Sequence, residues 1–266
     1  MKLREHSPWW RRGLRLLGAR GLPLAENNGD PRIDRNGELW LLRQLVAAHA
    51  ATAQERPFTA CDAGANLGTY TGLILQEARR AGAAAEVHVF EPSPHCLDRL
   101  RQTFVSEPAV HLTGAALADH AGSAALFGGG AGSTLASLVP RPVLAADAAP
   151  AVQVPLLRLG DYLAARGLAR IDLLKLDVEG AELAALRGLG PHLRPDVIDV
   201  IQFEYGGTTL DAGTTLRDLF ELLTAQGYVL AKLFPDALEV RRHEPWMENY
   251  AYANYVALSP RWRAVP

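Results

Sequence analysis

The sequence is poor in the features that mark secreted, membrane-spanning or nucleic-acid-binding proteins. Its 266 residues include 2 cysteines, Cys61 and Cys96, whose spacing matches neither a zinc motif nor a disulfide framework. The formal net charge of −2 gives no excess of one sign that would favour a nucleic-acid partner. No apolar run reaches the roughly 18 residues that a membrane-spanning helix needs. We therefore expect a cytoplasmic protein with neither a transmembrane segment nor a nucleic-acid partner.

The first residues, MKLREHSPWWRRGLRLLGAR, carry arginines throughout, so we expect no signal peptide there. Trp10, Leu14 and Leu17 could share one face of a helix. A helix over residues 9–20 would either lie on a membrane surface or pack against the protein, and a partly ordered tail is a further alternative. The simpler interpretation is the packed or partly ordered segment. We expect a basic N-terminal extension over residues 1–36 and one domain over residues 37–266.

From residue 37 onward, short apolar runs alternate with helical spacing. FTACDAG, EVHVFEP, VHLTGAAL, IDLLKLDV and DVIDVIQFEY have the composition of strands. This alternation predicts an α/β protein, with a mostly parallel sheet covered by helices on both faces. The last two strands, YVLAKLF and YANYVALS, have only a loop between them, which predicts an antiparallel finish at one edge of the sheet. The glycine-rich stretch 121–150 is expected to be hairpin and loop.

An acid and a glycine turn follow the first strand. In FTACDAGANLGTYTG, Asp62 ends the strand, and Gly64, Asn66 and Gly68 lie in the turn that leads into a helix. Ligands of open α/β sheets bind beyond the carboxyl ends of the strands. A carboxylate ahead of the turn would repel a pyrophosphate and attract an ammonium group, which argues against a dinucleotide. A plain structural junction between strand and helix stays open as the alternative.

A second acid, Glu91, ends the next strand, 23 residues after Gly68. A carboxylate at this position accepts hydrogen bonds from ribose hydroxyls. S-adenosylmethionine has both a ribose and an amino-acid tail, so Glu91 would bind its ribose and Asp62 would lie near its amino group. The expected cofactor-binding residues are Asp62, Gly64, Ala65, Asn66, Gly68, Thr69, Glu91, Ser93, Ala118, Asp119 and Asp177.

The stretch LLKLDVEGAELAALRG contains the candidate catalytic residues. Lys175 and Asp177 point to the same side of a buried strand, where a lysine is costly unless it is paired or used. We expect Asp177, Glu179 and Lys175 to surround the methyl donor and acceptor, together with Glu204 at the end of the next strand. The alternative is a structural Lys–Asp pair, with Glu179 placed to suit the helix dipole. Asp177 and Glu204 could also ligate Mg²⁺, although we expect no bound metal.

Aromatic residues near the end of the sequence are the candidate acceptor-binding residues. Trp246, Tyr250 and Tyr252 offer ring faces that suit sugars, and Asn254 could bond a hydroxyl. Tyr205, directly after Glu204, is a further candidate. The alternative is that Tyr252 and Tyr255 are ordinary strand residues and that Tyr205 only packs.

Four segments resemble the FkbM family of S-adenosylmethionine-dependent methyltransferases: DAGANLGTYT, VFEPSP, AALAD and LLKLDVEGAELAALRG. The resemblance extends from Pro57 to Leu258. It implies the class I methyltransferase fold, whose seven-stranded, mostly parallel sheet has an antiparallel last strand. It also implies methyl transfer, usually to an oxygen of a sugar or natural product. Family members often carry SSL after the third strand, where this chain has Ser133, Thr134 and Leu135.

The sequence thus predicts an S-adenosylmethionine-dependent O-methyltransferase with a small-molecule or glycan acceptor. Two alternatives stay open. The first is a non-catalytic binding subunit with the methyltransferase fold, against which the intact motifs argue. The second is a nicotinamide-dependent oxidoreductase, which would need a third glycine in the turn and no acid at Asp62.

Removal of residues 1–20 should leave S-adenosylmethionine binding unchanged, because this segment precedes every motif. Isothermal titration of the full chain and the truncated chain measures both affinities. A large loss of affinity in a truncated protein that still unfolds cooperatively would place this segment in the binding site.

Overall fold

The computed structural model describes residues 18, 21–52, 56–128, 136–140 and 151–264. Trp10, Leu14 and Leu17, and likewise Ser133, Thr134 and Leu135, lie outside the described residues. Within those ranges, no helix has the length and apolar character that crossing a bilayer requires.

The described residues include eleven strands, seven α-helices from residue 38 onward and a helical stretch at residues 21–25. The strands are β1 (Phe58–Ala63), β2 (Ala85–Phe90), β3 (Val110–Thr113), β4 (Ala116–Leu117), β5 (Gly122–Leu126), β6 (Val152–Leu157), β7 (Ile171–Leu176), β8 (Ile198–Tyr205), β9 (Val229–Phe234), β10 (Ala237–Val240) and β11 (Ala253–Leu258). The helices are α1 (Glu38–Ala51), α2 (Thr69–Arg80), α3 (Pro94–Thr103), α4 (Leu159–Arg166), α5 (Glu182–Arg187), α6 (Gly207–Asp211) and α7 (Leu216–Ala225).

Eight of these strands form the main sheet, in the order β10-β9-β11-β8-β7-β1-β2-β3. The strands from β8 to β3 in this order run parallel to one another. Every residue of β1 and β7 is buried, because helices cover both faces. Strands buried on both faces have continuous apolar runs, which is why FTACDA and IDLLKL stand out in the sequence. The predicted α/β fold is confirmed.

Two strands of this sheet run against the others, and both lie toward one edge. β11, the last strand in the sequence, pairs antiparallel with both β8 and β9. The edge is β10, which pairs antiparallel with β9 through the short turn at Phe234–Ala237. The predicted antiparallel last strand is therefore confirmed, but it lies between β8 and β9 and not at the edge itself. A loop connection fixes neither the neighbour nor the position of the strand that it precedes.

A second sheet contains three short strands in the order β4-β6-β5. VHLTGAAL was predicted as one strand, but it divides at Gly114 into β3 of the main sheet and β4 of the small one. At Gly114 a Cβ would lie 2.6 Å from a Leu97 methyl carbon. Part of the expected loop 121–150 is the strand β5, which pairs antiparallel with β6.

Apolar side chains form one core on each face of the main sheet. On one face, α4, α5 and α7 pack against the sheet through Leu163, Leu186 and Leu219. On the other face, α1 and α2 pack against it through Leu42 and Ile74. Both cores reach the middle of the sheet, so the central strands have little freedom to shift.

Residues 26–36, inside the proposed N-terminal extension, are hydrogen-bonded to the main sheet and its loops. Glu26 accepts a hydrogen bond from the buried Lys232 of β9 at 3.2 Å. The Asn27 amide donates to the carbonyl oxygen of Leu233 at 3.0 Å, and the backbone N–H of Gly29 donates to Tyr252 at 2.9 Å. These bonds fix the extension beside the carboxyl ends of the strands, where it can contribute to a binding site.

Gly64 lies where the ends of β1 and β7 approach each other most closely. Its φ is 78°, and a Cβ at this position would lie 1.8 Å from the Asp177 carbonyl oxygen. Only glycine therefore allows both the left-handed turn and the close approach of the two strands.

Gly64→Ala should lower the free energy of unfolding by at least about 1–3 kcal/mol, the cost of a strained backbone position alone. Gly72→Ala is the matched control, since Gly72 lies in α2 and a Cβ there would have nothing within 4 Å of it. It should raise stability by about 0.5–1 kcal/mol. Urea unfolding measures both values, and equal midpoints for the two variants would contradict the role given to Gly64.

Candidate active site

A cavity of about 470 Å³ lies at the carboxyl ends of β1, β2, β7 and β8. Open α/β sheets bind ligands at this edge, and the volume suits a small molecule. Its wall includes part of the predicted site: Gly64, Asn66, Glu91, Lys175, Asp177, Glu179 and Glu204. Other residues of the wall come from the N-terminal segment, α1, the small sheet and the last loops, and include Pro31, Ile33, Glu38, Phe90, Leu117, Leu126, Leu138 and Tyr252.

The glycine turn and Glu91 form one hydrogen-bonded unit. The backbone N–H of Asn66 donates to Glu91 Oε2, and the N–H of Ser93 donates to Glu91 Oε1, both at 2.8 Å. Burial raises the pKa of Glu91, although these two N–H bonds lower it in part. Each carboxylate oxygen has two lone pairs, so Glu91 keeps acceptor capacity toward the cavity. These acceptor oxygens fit the hydroxyl groups of the ribose of S-adenosylmethionine.

Asp177 and Glu204 are hydrogen-bonded to each other on the cavity wall. Burial raises the pKa of Glu204 well above its ordinary value, and the negative charge of Asp177 raises it further. Burial also opposes ionisation of Asp177, but the Lys175 ammonium and a hydrogen bond with Glu204 hold the pKa of Asp177 below its ordinary value. The two shifts go in opposite directions, so a proton is held more firmly by Glu204 than by Asp177.

Lys175 supplies the positive charge of this group. Its Nζ lies 2.7 Å from Asp177 Oδ2 and 5.0 Å from the centre of the Tyr70 ring. Only 5% of the residue is exposed, and this burial lowers its pKa. The charges of Asp177, Glu38 and Asp62 outweigh the burial and hold the pKa of Lys175 well above its ordinary value. Lys175 is thus a permanent cation that cannot accept a proton from a substrate.

Glu38, the first residue of α1, is a cavity residue that was not predicted from the sequence. Its carboxylate accepts hydrogen bonds from Asn36 Nδ2 and Gln202 Nε2, each at 2.7 Å. Gln202 also bonds Asn254 and accepts from the Tyr70 hydroxyl. The acids predicted from the sequence all lie at or just after the ends of strands, whereas Glu38 reaches the cavity from the first residue of a helix. The only sequence signal was an acid directly after Gly37, ahead of an apolar helix.

The turn between β7 and α5 presents Glu179 to the cavity. Glu179 has a φ of 52° and Gly180 a φ of 101°. The buried carboxyl of Glu182 accepts the backbone N–H groups of Val178 at 3.1 Å and Gly180 at 3.3 Å. Burial raises the pKa of Glu182 to about 7. Glu182 thus holds the turn, a role that its place in the VEGAE segment did not reveal.

Several predicted cofactor-binding residues lie behind the cavity wall or away from it. Asp62 is fully buried, and its Oδ2 accepts the Thr71 hydroxyl at 2.6 Å. Asp62 is therefore positioned to support the turn from behind. Ser93 caps α3, and Asp119 is exposed and bonded to His120. The remaining residues outside the wall are Ala65, Gly68, Thr69 and Ala118.

The structure also does not bring four of the predicted acceptor-binding residues to the cavity. The Tyr205 hydroxyl donates to Glu248 at 3.0 Å and its ring packs on Tyr250. Trp246 is exposed, with its indole N–H donating to Glu244. Asn254 is buried and donates to the Tyr252 hydroxyl at 3.3 Å. Tyr252, in the same aromatic stretch, is the residue that reaches the cavity.

Proteins of known class share this sequence pattern. The family model described as the methyltransferase FkbM domain matches residues 62–230. The methyltransferase sdnD of Sordaria araneosa is 29% identical over 237 residues, which cover 70% of this chain and 89% of that protein. Methyltransferase 1 of Beauveria bassiana is 40% identical over 86 residues, which cover 32% of each chain.

Solved structures share the fold. The DszA carbon methyltransferase has a TM-score of 0.50 at 14% identity, with 91% of this chain and 57% of that chain covered. The FkbM methyltransferase of Methylobacillus flagellatus KT has a TM-score of 0.47 at 14% identity, with 94% and 71% covered. The fold is the predicted class I methyltransferase fold, with β10 as an additional edge strand. Because the family match covers more than half of the chain, from the end of β1 into β9, the protein belongs to the FkbM family of S-adenosylmethionine-dependent methyltransferases.

Proposed function

We propose that the protein methylates a hydroxyl group of a sugar or another small natural product. The observation that carries this proposal is the carboxyl pair Asp177 and Glu204 on the cavity wall, where the Lys175 ammonium lies 2.7 Å from Asp177. A neutral hydroxyl must lose its proton as it gains a methyl group, so the site needs a fixed acceptor for that proton. Positioned acid–base groups typically contribute about 10²–10⁴-fold to such a step.

Asp177 is the proposed proton acceptor. S-adenosylmethionine, when bound, supplies an electrophilic methyl group on a positively charged sulfur. Asp177 orients the acceptor hydroxyl and takes its proton, while Lys175 keeps the carboxylate ionised and Glu204 hydrogen-bonds to it. Glu91 and the backbone of Gly64 and Asn66 are the proposed cofactor contacts. The protein otherwise contributes mainly by orienting the methyl donor and the acceptor and by excluding water.

The strength of the base favours an oxygen acceptor over a carbon acceptor. The DszA relative in fold is a carbon methyltransferase, so the fold is compatible with both chemistries. A carboxylate whose pKa lies below the ordinary value is a weak base. It can accept the proton of a hydroxyl that becomes acidic as the new C–O bond forms, whereas a carbon acid would need a stronger base.

The remaining cavity wall suits a hydroxyl-rich acceptor. Glu38 and Glu179 bring carboxyl groups to the cavity wall. Tyr252 brings a ring and a hydroxyl to the same wall, which also includes Pro31 and Ile33. Carboxylates are strong hydrogen-bond acceptors for hydroxyl groups. We therefore propose Glu38 and Tyr252 as acceptor-binding residues, in place of Tyr205, Trp246, Tyr250 and Asn254.

The charges of the site do not call for Mg²⁺ between Asp177 and Glu204. Lys175 already neutralises Asp177 at 2.7 Å, and burial raises the pKa of Glu204, which disfavours its charged form. A divalent cation would have to compete with the ammonium group for Asp177. We propose that these residues work without a metal ion.

Glu91→Ala should weaken S-adenosylmethionine binding about 10–100-fold, since hydrogen bonds to charged groups are worth roughly 1.5–3 kcal/mol. Isothermal titration measures the affinity. Glu107→Ala is the matched control, because Glu107 pairs with Arg79 at 2.6 Å outside the cavity. Glu91 also holds the turn, so melting temperatures must show that both variants are folded. Unchanged affinity in folded Glu91→Ala would reject the ribose contact.

Asp177→Asn should lower turnover by about 10²-fold or more and change cofactor affinity by less than about tenfold. The substitution keeps the shape and removes the proton acceptor. Glu204→Gln keeps a hydrogen-bond donor toward Asp177 and should cost less than about tenfold. The assay measures S-adenosylhomocysteine release with a panel of hydroxylated and carbon-acid acceptors, and mass spectrometry locates the methyl group.

Asp119→Asn is the control for this series, since Asp119 is exposed and lies outside the cavity. Methylation at carbon would overturn the choice of acceptor. Near-normal turnover of Asp177→Asn together with a large loss in Glu204→Gln would transfer the proton-accepting role to Glu204.

A further inference from the structure

Glu86, His88 and His111 converge on one face of the main sheet, outside the proposed active site. Glu86 and His88 are two residues apart in β2 and therefore share a face, and His111 of the edge strand β3 is the register partner of His88. Glu86 Oε1 lies 3.4 Å from His88 Nε2 and 3.1 Å from His111 Nε2. One ligand atom from each residue lies within 4.8 Å of the other two.

The buried ring of His88 leaves its Nε2 unsatisfied. His88 is 1% exposed, and its Nε2 has no hydrogen-bond partner among the described residues although it faces Glu86. Its Nδ1 lies 2.9 Å from the Tyr162 hydroxyl. In the tautomer with the proton on Nδ1, the ring donates to the Tyr162 oxygen and directs the Nε2 lone pair at the Glu86 carboxylate. Two acceptors that face each other at this distance repel, and a cation between them would satisfy both.

From this geometry we propose that Glu86, His88 and His111 bind a divalent transition-metal ion, with Zn²⁺ as the ion that fits best. Two imidazoles and one carboxylate are a known zinc ligand set. Ligands about 2.0–2.1 Å from a tetrahedral ion are about 3.3 Å apart, close to the separations of Glu86 Oε1 from the two ring nitrogens. Calcium and magnesium prefer oxygen ligands and do not suit this site.

The surroundings of His88 match what a metal-bound histidine requires. A ligating histidine donates its other ring N–H to a fixed acceptor, which here is Tyr162, itself hydrogen-bonded to Thr113. His111 and Glu86 are partly exposed, which gives the ion a path from solvent and leaves room for a water ligand.

The ion would join the edge strand β3 to β2, one aromatic layer from the cavity. The Tyr162 ring contacts both the His88 ring and the Phe90 ring, with centroid distances of 5.6 Å and 4.9 Å, and Phe90 lines the cavity. Its role is structural, since it lies behind the cavity wall and not on it. The expected consequence is a higher melting temperature and no direct part in methyl transfer.

Titration of the metal-free full chain with Co²⁺ tests the site directly, because Co²⁺ in a tetrahedral site absorbs visible light. We expect one equivalent to bind with a tetrahedral spectrum, Zn²⁺ to displace it, and Zn²⁺ to raise the melting temperature. His111→Ala should weaken Zn²⁺ binding by at least about 10–100-fold, the range typical even for loss of a group that only orients a ligand, and should abolish the thermal shift. Glu86→Gln should act in the same direction.

His95→Ala is the matched control, because His95 is an exposed histidine of α3, and it should bind both metals as the unchanged chain does. His111 and Glu86 are chosen because they are partly exposed, so their replacement leaves no buried void as loss of His88 would. The absence of a tetrahedral Co²⁺ spectrum, or equal Zn²⁺ affinity in His111→Ala and the unchanged chain, would overturn the proposal.

Discussion

The charge of Lys175 is the constraint on which the centre of the molecule depends. A buried ammonium needs opposite charges around it, and three different elements supply them: Asp62 from β1, Asp177 after β7 and Glu38 from α1. The same interactions align the ends of the two central strands and attach the first helix to the sheet. Support of the fold and preparation of the site are thus one electrostatic arrangement, and Lys175 is a positioning residue that no hydrophobic replacement could imitate.

Different local interactions let several acids lie around one cavity. Repeated carboxylates at one rim repel, and the sequence alone could not say how the repulsion is relieved. Burial and the neighbouring acids raise the pKa of Glu204, which favours its neutral form. Glu91 is bonded by two backbone N–H groups, and Glu182, whose pKa burial raises to about 7, by two others. Burial or backbone hydrogen bonds act on each of these acids separately, so the number of acids does not measure the negative charge of the cavity.

Much of the fold could be predicted because its signals are local. Continuous apolar runs revealed β1 and β7, and the Asp62–Gly68 turn indicated where a ligand would lie. The predictions that fell short depended on contacts distant in sequence. Nothing near Gly114 shows that the chain leaves the main sheet there, and nothing near residues 122–126 shows that they pair with β6. Glu38 enters the cavity only because α1 docks on Gln202, and Trp246 lies at the surface because its loop turns outward.

The inner position of β11 determines the order in which the sheet can be completed during synthesis. β8 and β9 are separated in the sheet by β11, which is the last of the described strands to leave the ribosome. Until residues 253–258 emerge, one edge of the apolar β8 has no strand to pair with, and the β9–β10 hairpin has no place to dock. Unpaired apolar edges favour association with other chains. The nascent protein is therefore vulnerable to aggregation in the interval between the synthesis of β8 and that of β11, after its glycine turn and central strands are already made.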